Sequence, residues 1–202
     1  MAVAETGLRY GENTANGITL RYAVMGRPDA PLIIMLHGFP ESWYSWRHQL
    51  PMLADLGWRA VAPDMRGYGG SARPSEQAAY RMEHLIADAA GLFDALGARR
   101  RLLIGHDWGA LVAWSFAMAG ARPLDGLVAM NVPHPAVFRA VLGRSWRQRA
   151  RSWYVAFFQI PRLPEWALTR NRAEGTVPGD LAVEYYSQRA SSGLIITEGS
   201  QP

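Results

Sequence analysis

The sequence contains neither cysteine nor lysine in its 202 residues. Without cysteine the chain forms no disulfides and no thiolate metal sites, and it has no cysteine nucleophile. Without lysine it has no side chain for Schiff-base chemistry and no P-loop lysine to bind phosphates. All 21 basic residues are therefore arginine, and with 17 acidic residues they give a formal net charge of +4.

Long apolar runs are also absent. A membrane-spanning helix needs about 18 or more consecutive apolar residues, and no stretch approaches that length. Residues 1–17 have no basic start followed by an apolar run, so they do not resemble a secretory signal. We therefore expect a cytoplasmic protein without a membrane partner. Hydrophobic residues make up 49% of the chain and charged residues 19%, which is typical of a globular protein with a substantial core.

A local basic cluster consists of Arg139, Arg144, Arg147, Arg149 and Arg151. Clusters of this kind contact nucleic acids or other anionic surfaces in some proteins. No recognised nucleic-acid-binding module surrounds this one, so a solvated helix face is the favoured interpretation. We therefore expect no nucleic-acid partner.

Apolar periodicity predicts a β-hairpin followed by buried strands. Residues 8–10 and 18–24 alternate apolar with polar side chains around residues 13–17, which is typical of a hairpin. Continuous apolar runs, typical of strands buried on both faces, follow at residues 31–36, 59–62, 101–104 and 127–130.

Helical spacing predicts helices over residues 46–56, 82–96 and 110–118. Gly57 and Gly97 follow the first two as expected C-caps. The alternation of strand and helix predicts an α/β fold with a doubly wound, mostly parallel sheet and right-handed crossovers. A site in such a fold lies at the carboxyl ends of the strands.

The segment GHDWG, residues 105–109, directly follows a predicted strand and precedes a helix. It has the small-x-nucleophile-x-small form of a nucleophile elbow, with Asp107 at the position where esterases carry serine. The helix N-terminus favours an ionised carboxylate, and a carboxylate nucleophile forms an ester by opening an epoxide or displacing a halide. The alternative is an N-cap aspartate beside a tight turn, and the motif alone does not decide between the two.

A second motif, HGFP at residues 37–40, follows the strand at 31–36. In folds of this type the loop at this position supplies one backbone donor of an oxyanion hole, and the elbow supplies the other. We therefore assign the backbone N–H groups of Phe39 and Trp108 to an oxyanion hole, and Phe39–Pro40 is a candidate cis peptide.

A third segment, the glycine-rich residues 64–71, follows the next strand. We interpret it as a structural turn in which Asp64 and Arg66 brace loops instead of reacting.

Four segments together resemble epoxide hydrolases of the α/β-hydrolase superfamily: HGFPESWYSWRHQLP (37–51), DMRGYGGSARP (64–74), GHDWGA (105–110) and NVPHP (131–135). The resemblance extends from residue 8 to about residue 166. It implies the α/β-hydrolase fold and the opening of an epoxide to a diol through an alkyl-enzyme ester on Asp107. It also assigns structural roles within the motifs to His37, Gly38, Pro40, Gly105, His106 and Gly109.

Two related families are alternatives. Haloalkane dehalogenases share the DWG elbow but commonly have asparagine at the position of Phe39. Fluoroacetate dehalogenases share HGFP but usually have arginine at the position of Trp108. Both differences favour the epoxide hydrolase interpretation, and a haloalkane dehalogenase-like hydrolase remains the alternative.

The segment SWYVAFFQIP, residues 152–161, resembles the part of the epoxide hydrolase cap that carries the first of two tyrosines. Tyr154 matches that tyrosine, and the resemblance implies that its phenol donates a proton to the epoxide oxygen. Together with Phe39 and Trp108 it is expected to line the pocket for a small apolar epoxide or haloalkane. Plain aromatic packing is the alternative for both Trp108 and Tyr154.

Other parts of the family mechanism have no match. The family carries a general-base histidine and its acid near the C-terminal end of the fold, and none of the five histidines, His37, His48, His84, His106 and His134, occupies that position. Some dehalogenases place the acid where this chain has Asn131, and the second cap tyrosine is missing. The alternative function is therefore a catalytically inactive fragment.

Residues 168–202 resemble instead the N-terminal segment of old yellow enzyme family flavin reductases. We predict three segments: residues 1–135 as the N-terminal part of the hydrolase core, 136–167 as the start of a helical cap, and 168–202 as a barrel fragment. The chain is thus expected to be a truncated chimera that binds no flavin, no other cofactor and no metal. Its open sheet edge is expected to favour self-association.

Overall fold

The computed structural model describes residues 7–147. The chain divides into two compact units, Met1–Pro135 and Ala136–Pro202. The tail at 168–202 and all of the predicted cap beyond residue 147 lie outside the described residues. Over the described range, no helix is long and apolar enough to cross a membrane.

Six strands form one sheet in the described part of the chain: β1 (Arg9–Ala15), β2 (Ile18–Met25), β3 (Leu32–Leu36), β4 (Arg59–Pro63), β5 (Arg101–His106) and β6 (Gly126–Met130). Their order is β1-β2-β4-β3-β5-β6. Strands β4, β3, β5 and β6 pair in parallel, whereas β1–β2 and β2–β4 pair antiparallel. The structure thus confirms the predicted α/β fold with a mostly parallel sheet.

The first hairpin is tighter than predicted. Strand β1 continues to Ala15, which pairs with Ile18, so the connection has two residues instead of the predicted five, residues 13–17. Asn16 and Gly17 have φ values of 53° and 74°. An Asn-Gly pair adopts positive φ easily, and such a turn matches the twist of the flanking strands.

The helices are α1 (Gln49–Asp55), α2 (Met82–Leu96), α3 (Trp108–Met118) and α4 (Pro135–Arg144). The predicted helix over residues 46–56 is shorter in the structure: α1 begins at Gln49, and Trp46 is instead the last residue of a separate 3-10 turn at Trp43–Trp46. Helix α3 begins at Trp108, two residues earlier than predicted, because the Asp107 carbonyl already accepts the N–H of Ala110. Gly57 and Gly97 follow α1 and α2 in left-handed conformations, as expected of C-caps.

The core lies on both faces of the sheet. Helices α2 and α3 cover one face, where Phe93 packs against Phe116, and Trp46 and Leu50 belong to the cluster on the other. All five residues of β3 are buried. Each large apolar side chain buried there contributes roughly 1.5–3 kcal/mol, so β3 is a rigid base for the loop that follows it.

Candidate active site

The elbow has the geometry expected of its sequence. Asp107 lies between β5 and α3 with φ 52° and ψ −117°, a conformation that is strained for a residue with a side chain. A Cβ atom at Gly105 would collide with the backbone of Gly109, and one at Gly109 would collide with the backbone of Leu36. Both flanking positions therefore require glycine because the elbow is packed tightly between β3 and its own helix.

The carboxylate of Asp107 faces the HGFP loop. Its Oδ2 accepts a hydrogen bond from the backbone N–H of Phe39 at 3.2 Å, and only 9% of the residue is exposed. A Cβ atom at Gly38 would lie 2.6 Å from the Asp107 Cβ. The two motifs that the sequence placed 68 residues apart thus meet at one carboxylate, and glycine at position 38 permits the approach.

The direction of the Phe39 N–H is set by its own peptide group. The Gly38 carbonyl accepts hydrogen bonds from His37 Nδ1 at 2.8 Å and from the Glu41 N–H at 3.1 Å. Because the C=O and N–H of a planar trans peptide point in opposite directions, fixing the carbonyl aims the N–H at Asp107. The Phe39–Pro40 peptide is cis, as predicted.

His37 is a fully buried residue that links two loops. Its Nε2 accepts the N–H of Met65 at 2.9 Å, so the ring proton lies on Nδ1, where it is donated to Gly38. Burial lowers the pKa of His37, which keeps the ring neutral as this arrangement requires. The ring of Tyr68 packs edge-on against it, with centroids 4.9 Å apart. Burial, and secondarily the charge of Asp107, raises the pKa of Tyr68 to about 12.

Glu41, His106 and Asn131 form a polar chain beside the elbow. Glu41 Oε2 accepts the N–H of Gly38 at 3.0 Å and a hydrogen bond from His106 Nδ1 at 3.2 Å. His106 Nε2 lies 2.9 Å from Asn131 Nδ2. Burial raises the pKa of Glu41, but the hydrogen bonds that its carboxylate accepts from His106 and from Gly38 outweigh it and leave that pKa below its ordinary value.

Asp64 and Arg66 hold loops in place, as the sequence suggested. Asp64 accepts the backbone N–H groups of Trp43 at 3.0 Å and Gly70 at 2.8 Å. Arg66 forms a bidentate pair with Asp88 of helix α2. Neither side chain takes part in the contacts made by Asp107 that are described above.

The remaining predicted site residues are Trp108 and Tyr154. Trp108 is the first residue of α3 and is 47% exposed. Its N–H lies at the helix start, and its place in an oxyanion hole stays a prediction. Tyr154 lies outside the described residues, so its assigned role also stays a prediction. His134 packs edge-on against Trp114.

Sequence reasoning missed Glu41 and Tyr68. Both lie inside segments that carry the family resemblance, residues 37–51 and 64–74, but neither has a spacing that points to the nucleophile. Only their contacts in the folded chain connect them with the elbow. For metals, residues 7–147 contain no group of three or more His, Cys, Asp or Glu side chains that could hold an ion.

Comparison with known proteins gives the family. The family model described as alpha/beta hydrolase fold matches residues 31–190, which includes part of the 168–202 segment. Epoxide hydrolase 4 of Mus musculus is 44% identical over 156 residues, covering 77% of this chain and 43% of that protein. Epoxide hydrolase A of Mycobacterium tuberculosis is 44% identical over 154 residues, covering 74% and 47%.

Among solved structures, epoxide hydrolase A from Mycobacterium thermoresistibile superposes with a TM-score of 0.68 and 35% identity. The match covers 84% of this chain and 54% of that one. The chain thus spans about half the length of the relatives it matches.

Proposed function

Because the chain belongs to the α/β-hydrolase fold family, we propose that it carries the nucleophile part of an epoxide hydrolase site and attacks small apolar epoxides through Asp107. The observation that carries the proposal is the Phe39 N–H held on Asp107 Oδ2. In the proposed mechanism Oδ2 becomes the oxyanion, so a backbone donor already placed on Oδ2 is what stabilisation of that charge requires. The similarity to proteins named epoxide hydrolases supports the choice of substrate class.

We propose different tasks for the two carboxylate oxygens of Asp107. Oδ2 accepts the Phe39 N–H, and we assign to Oδ1 the attack on the epoxide carbon that forms the ester bond. The epoxide C–O bond breaks, and the freed oxygen takes a proton from Tyr154. Oδ2 then becomes the ester carbonyl oxygen, and when water adds at Cγ its negative charge is stabilised by the N–H groups of Phe39 and Trp108.

Hydrolysis of the ester needs a base that removes a proton from the attacking water. In residues 7–147, both ring nitrogens of His37 and of His106 already take part in hydrogen bonds. Neither histidine lies at the position where the family carries its general base. We therefore propose that the chain forms the ester faster than it hydrolyses it.

The test is intact-protein mass spectrometry after incubation with excess styrene oxide. A single persistent adduct that is absent from the Asp107→Asn variant supports the proposal. Free diol at a steady rate would show a working base and contradict the proposed stall. If neither an adduct nor a diol is detected, the assignment of Asp107 is overturned and the chain is an inactive fragment. The same incubation with a bromoalkane tests the haloalkane dehalogenase alternative, whose sign is release of halide.

We also propose that residues 168–202 are a reductase-like segment that binds no flavin, and that the chain self-associates through β6, an edge strand of the described sheet. An edge strand presents unpaired N–H and C=O groups that another strand can bind. Visible absorbance of the purified chain tests the first statement, since bound flavin is yellow. Analytical ultracentrifugation tests the second, and a monomer at all concentrations would contradict it.

A further inference from the structure

We infer that Asn131 is a positioning residue for the proposed site, acting through His106 and Glu41 on the HGFP loop at residues 37–40, the oxyanion loop. This inference rests on the proposed function, but it concerns a residue that takes no part in the proposed chemical steps. Asn131 follows β6, His106 ends β5, and Glu41 lies in the loop after β3. The three side chains therefore connect the carboxyl ends of three strands that are neighbours in the sheet.

The hydrogen bonds determine where the proton of His106 lies. The Glu41 carboxylate only accepts, so His106 Nδ1 must donate to it. The Asn131 amide is placed with its Nδ2 toward Nε2 of the same ring, and from this placement we infer that the amide donates and Nε2 accepts. His106 is thus neutral, with its proton on Nδ1, and both of its nitrogens are held.

The backbone of Asn131 shows that this position is specialised. Its φ is 65°, a left-handed conformation in which asparagine is among the few tolerated side chains. That conformation presents the amide to His106. An aspartate at position 131 would fit the same backbone but could only accept, so it would require a second proton on Nε2.

At the other end of this hydrogen-bonded series, Glu41 contacts the loop that carries the Phe39 N–H. Glu41 Oε2 accepts the N–H of Gly38, and the Glu41 N–H donates to the carbonyl of Gly38. The next N–H along the chain, that of Phe39, lies on Asp107. A shift of Glu41 therefore moves the donor relative to the nucleophile, and displacements of about 1 Å cost up to about 100-fold in rate.

Three variants of the full chain test the inference. Asn131→Gly keeps the left-handed backbone and removes the amide, and it should slow alkylation of Asp107 by styrene oxide about tenfold. Asn131→Asp restores the contact through a His106 ring that carries two protons, and its rate should lie within about threefold of the natural chain. Asn16→Gly is the matched control: it makes the same change at another left-handed position, where Asn16 bonds His84 and Asp88.

The spectroscopic readout is the nitrogen NMR spectrum of His106, which distinguishes protonated from unprotonated ring nitrogens. We expect an unprotonated Nε2 in the natural chain and in Asn16→Gly, and two protonated nitrogens in Asn131→Asp. A proton on Nε2 in the natural chain would overturn the inference, as would equal alkylation rates in Asn131→Gly and the natural chain. An equal loss of alkylation rate in Asn131→Gly and Asn131→Asp would also contradict the inference. If the natural chain forms no adduct, the proposed function fails, and the spectrum still decides the state of His106.

Discussion

The guanidinium of Arg66 forms a bidentate pair with the carboxylate of Asp88, with Nε 2.8 Å from Oδ2 and Nη2 2.6 Å from Oδ1. The two side chains are only 3% and 7% exposed. A third hydrogen bond joins Arg66 Nη1 to the carbonyl of Ala79, and Asn16 Nδ2 donates to the same carboxylate. This pair therefore connects the loop after β4 with helix α2 and with the turn of the first hairpin.

Arg66→Met should destabilise the fold by about 3–5 kcal/mol, because it leaves the carboxylate of Asp88 buried without its cation. Urea denaturation measures the change. Arg122→Met is the matched control, since it breaks an Arg–Asp pair of the same geometry whose side chains are 41% and 48% exposed. The control should leave the denaturation midpoint unchanged. Similar losses in both variants would show that burial of the Arg66 pair carries no special cost.

Gly38→Ala should abolish alkylation of Asp107, lowering its rate by about 100-fold or more. The new Cβ would lie 2.6 Å from the Asp107 Cβ and 3.0 Å from its Oδ2, so either the oxyanion loop or the elbow must move. Adduct formation with styrene oxide, followed by mass spectrometry, measures the effect. At Gly7 nothing lies within 4 Å of an added Cβ, and Gly7→Ala should therefore alkylate at the natural rate. Undiminished alkylation in Gly38→Ala would contradict the described approach of the two loops.

We expect the phenol of Tyr68 to ionise at a pH about two pH units higher than that of an ordinary tyrosine. Burial, and secondarily the charge of Asp107, raises its pKa from 10.0 to about 12, so the folded chain holds the phenol proton more tightly than the unfolded chain does. The stabilisation is fully present below pH 10 and is lost as the pH rises toward about 12.

Ultraviolet difference titration and denaturation at a series of alkaline pH values measure this dependence. Tyr68→Phe should remove the part of this pH dependence that Tyr68 contributes. Tyr44→Phe, a change at a ring that is 46% exposed, should leave the profile as it is in the natural chain. A Tyr68 phenol that ionises near pH 10 would show that it is not shielded as described.

Much of the fold could be predicted because its signals are local. Continuous apolar runs predicted the parallel strands within one or two residues, since a strand covered on both faces carries apolar side chains at nearly every position. The hairpin turn was predicted too wide, although the Asn16–Gly17 pair is itself a local signal for a two-residue turn. The start of α1 was predicted too early, at Trp46, which the structure places at the end of the Trp43–Trp46 turn.

The sequence by itself determined the elbow, the HGFP loop and their order along the chain, because a sharp strand-to-helix turn with tight packing requires glycine at fixed spacing from Asp107. Only the tertiary structure decided which atoms meet. Strands β3 and β5 are neighbours in the sheet, and this brings the Phe39 N–H to Asp107 across 68 residues. Glu41, His106 and Asn131 likewise come together through the parallel ends of β3, β5 and β6. Such contacts depend on sheet order, which no local pattern of side chains encodes.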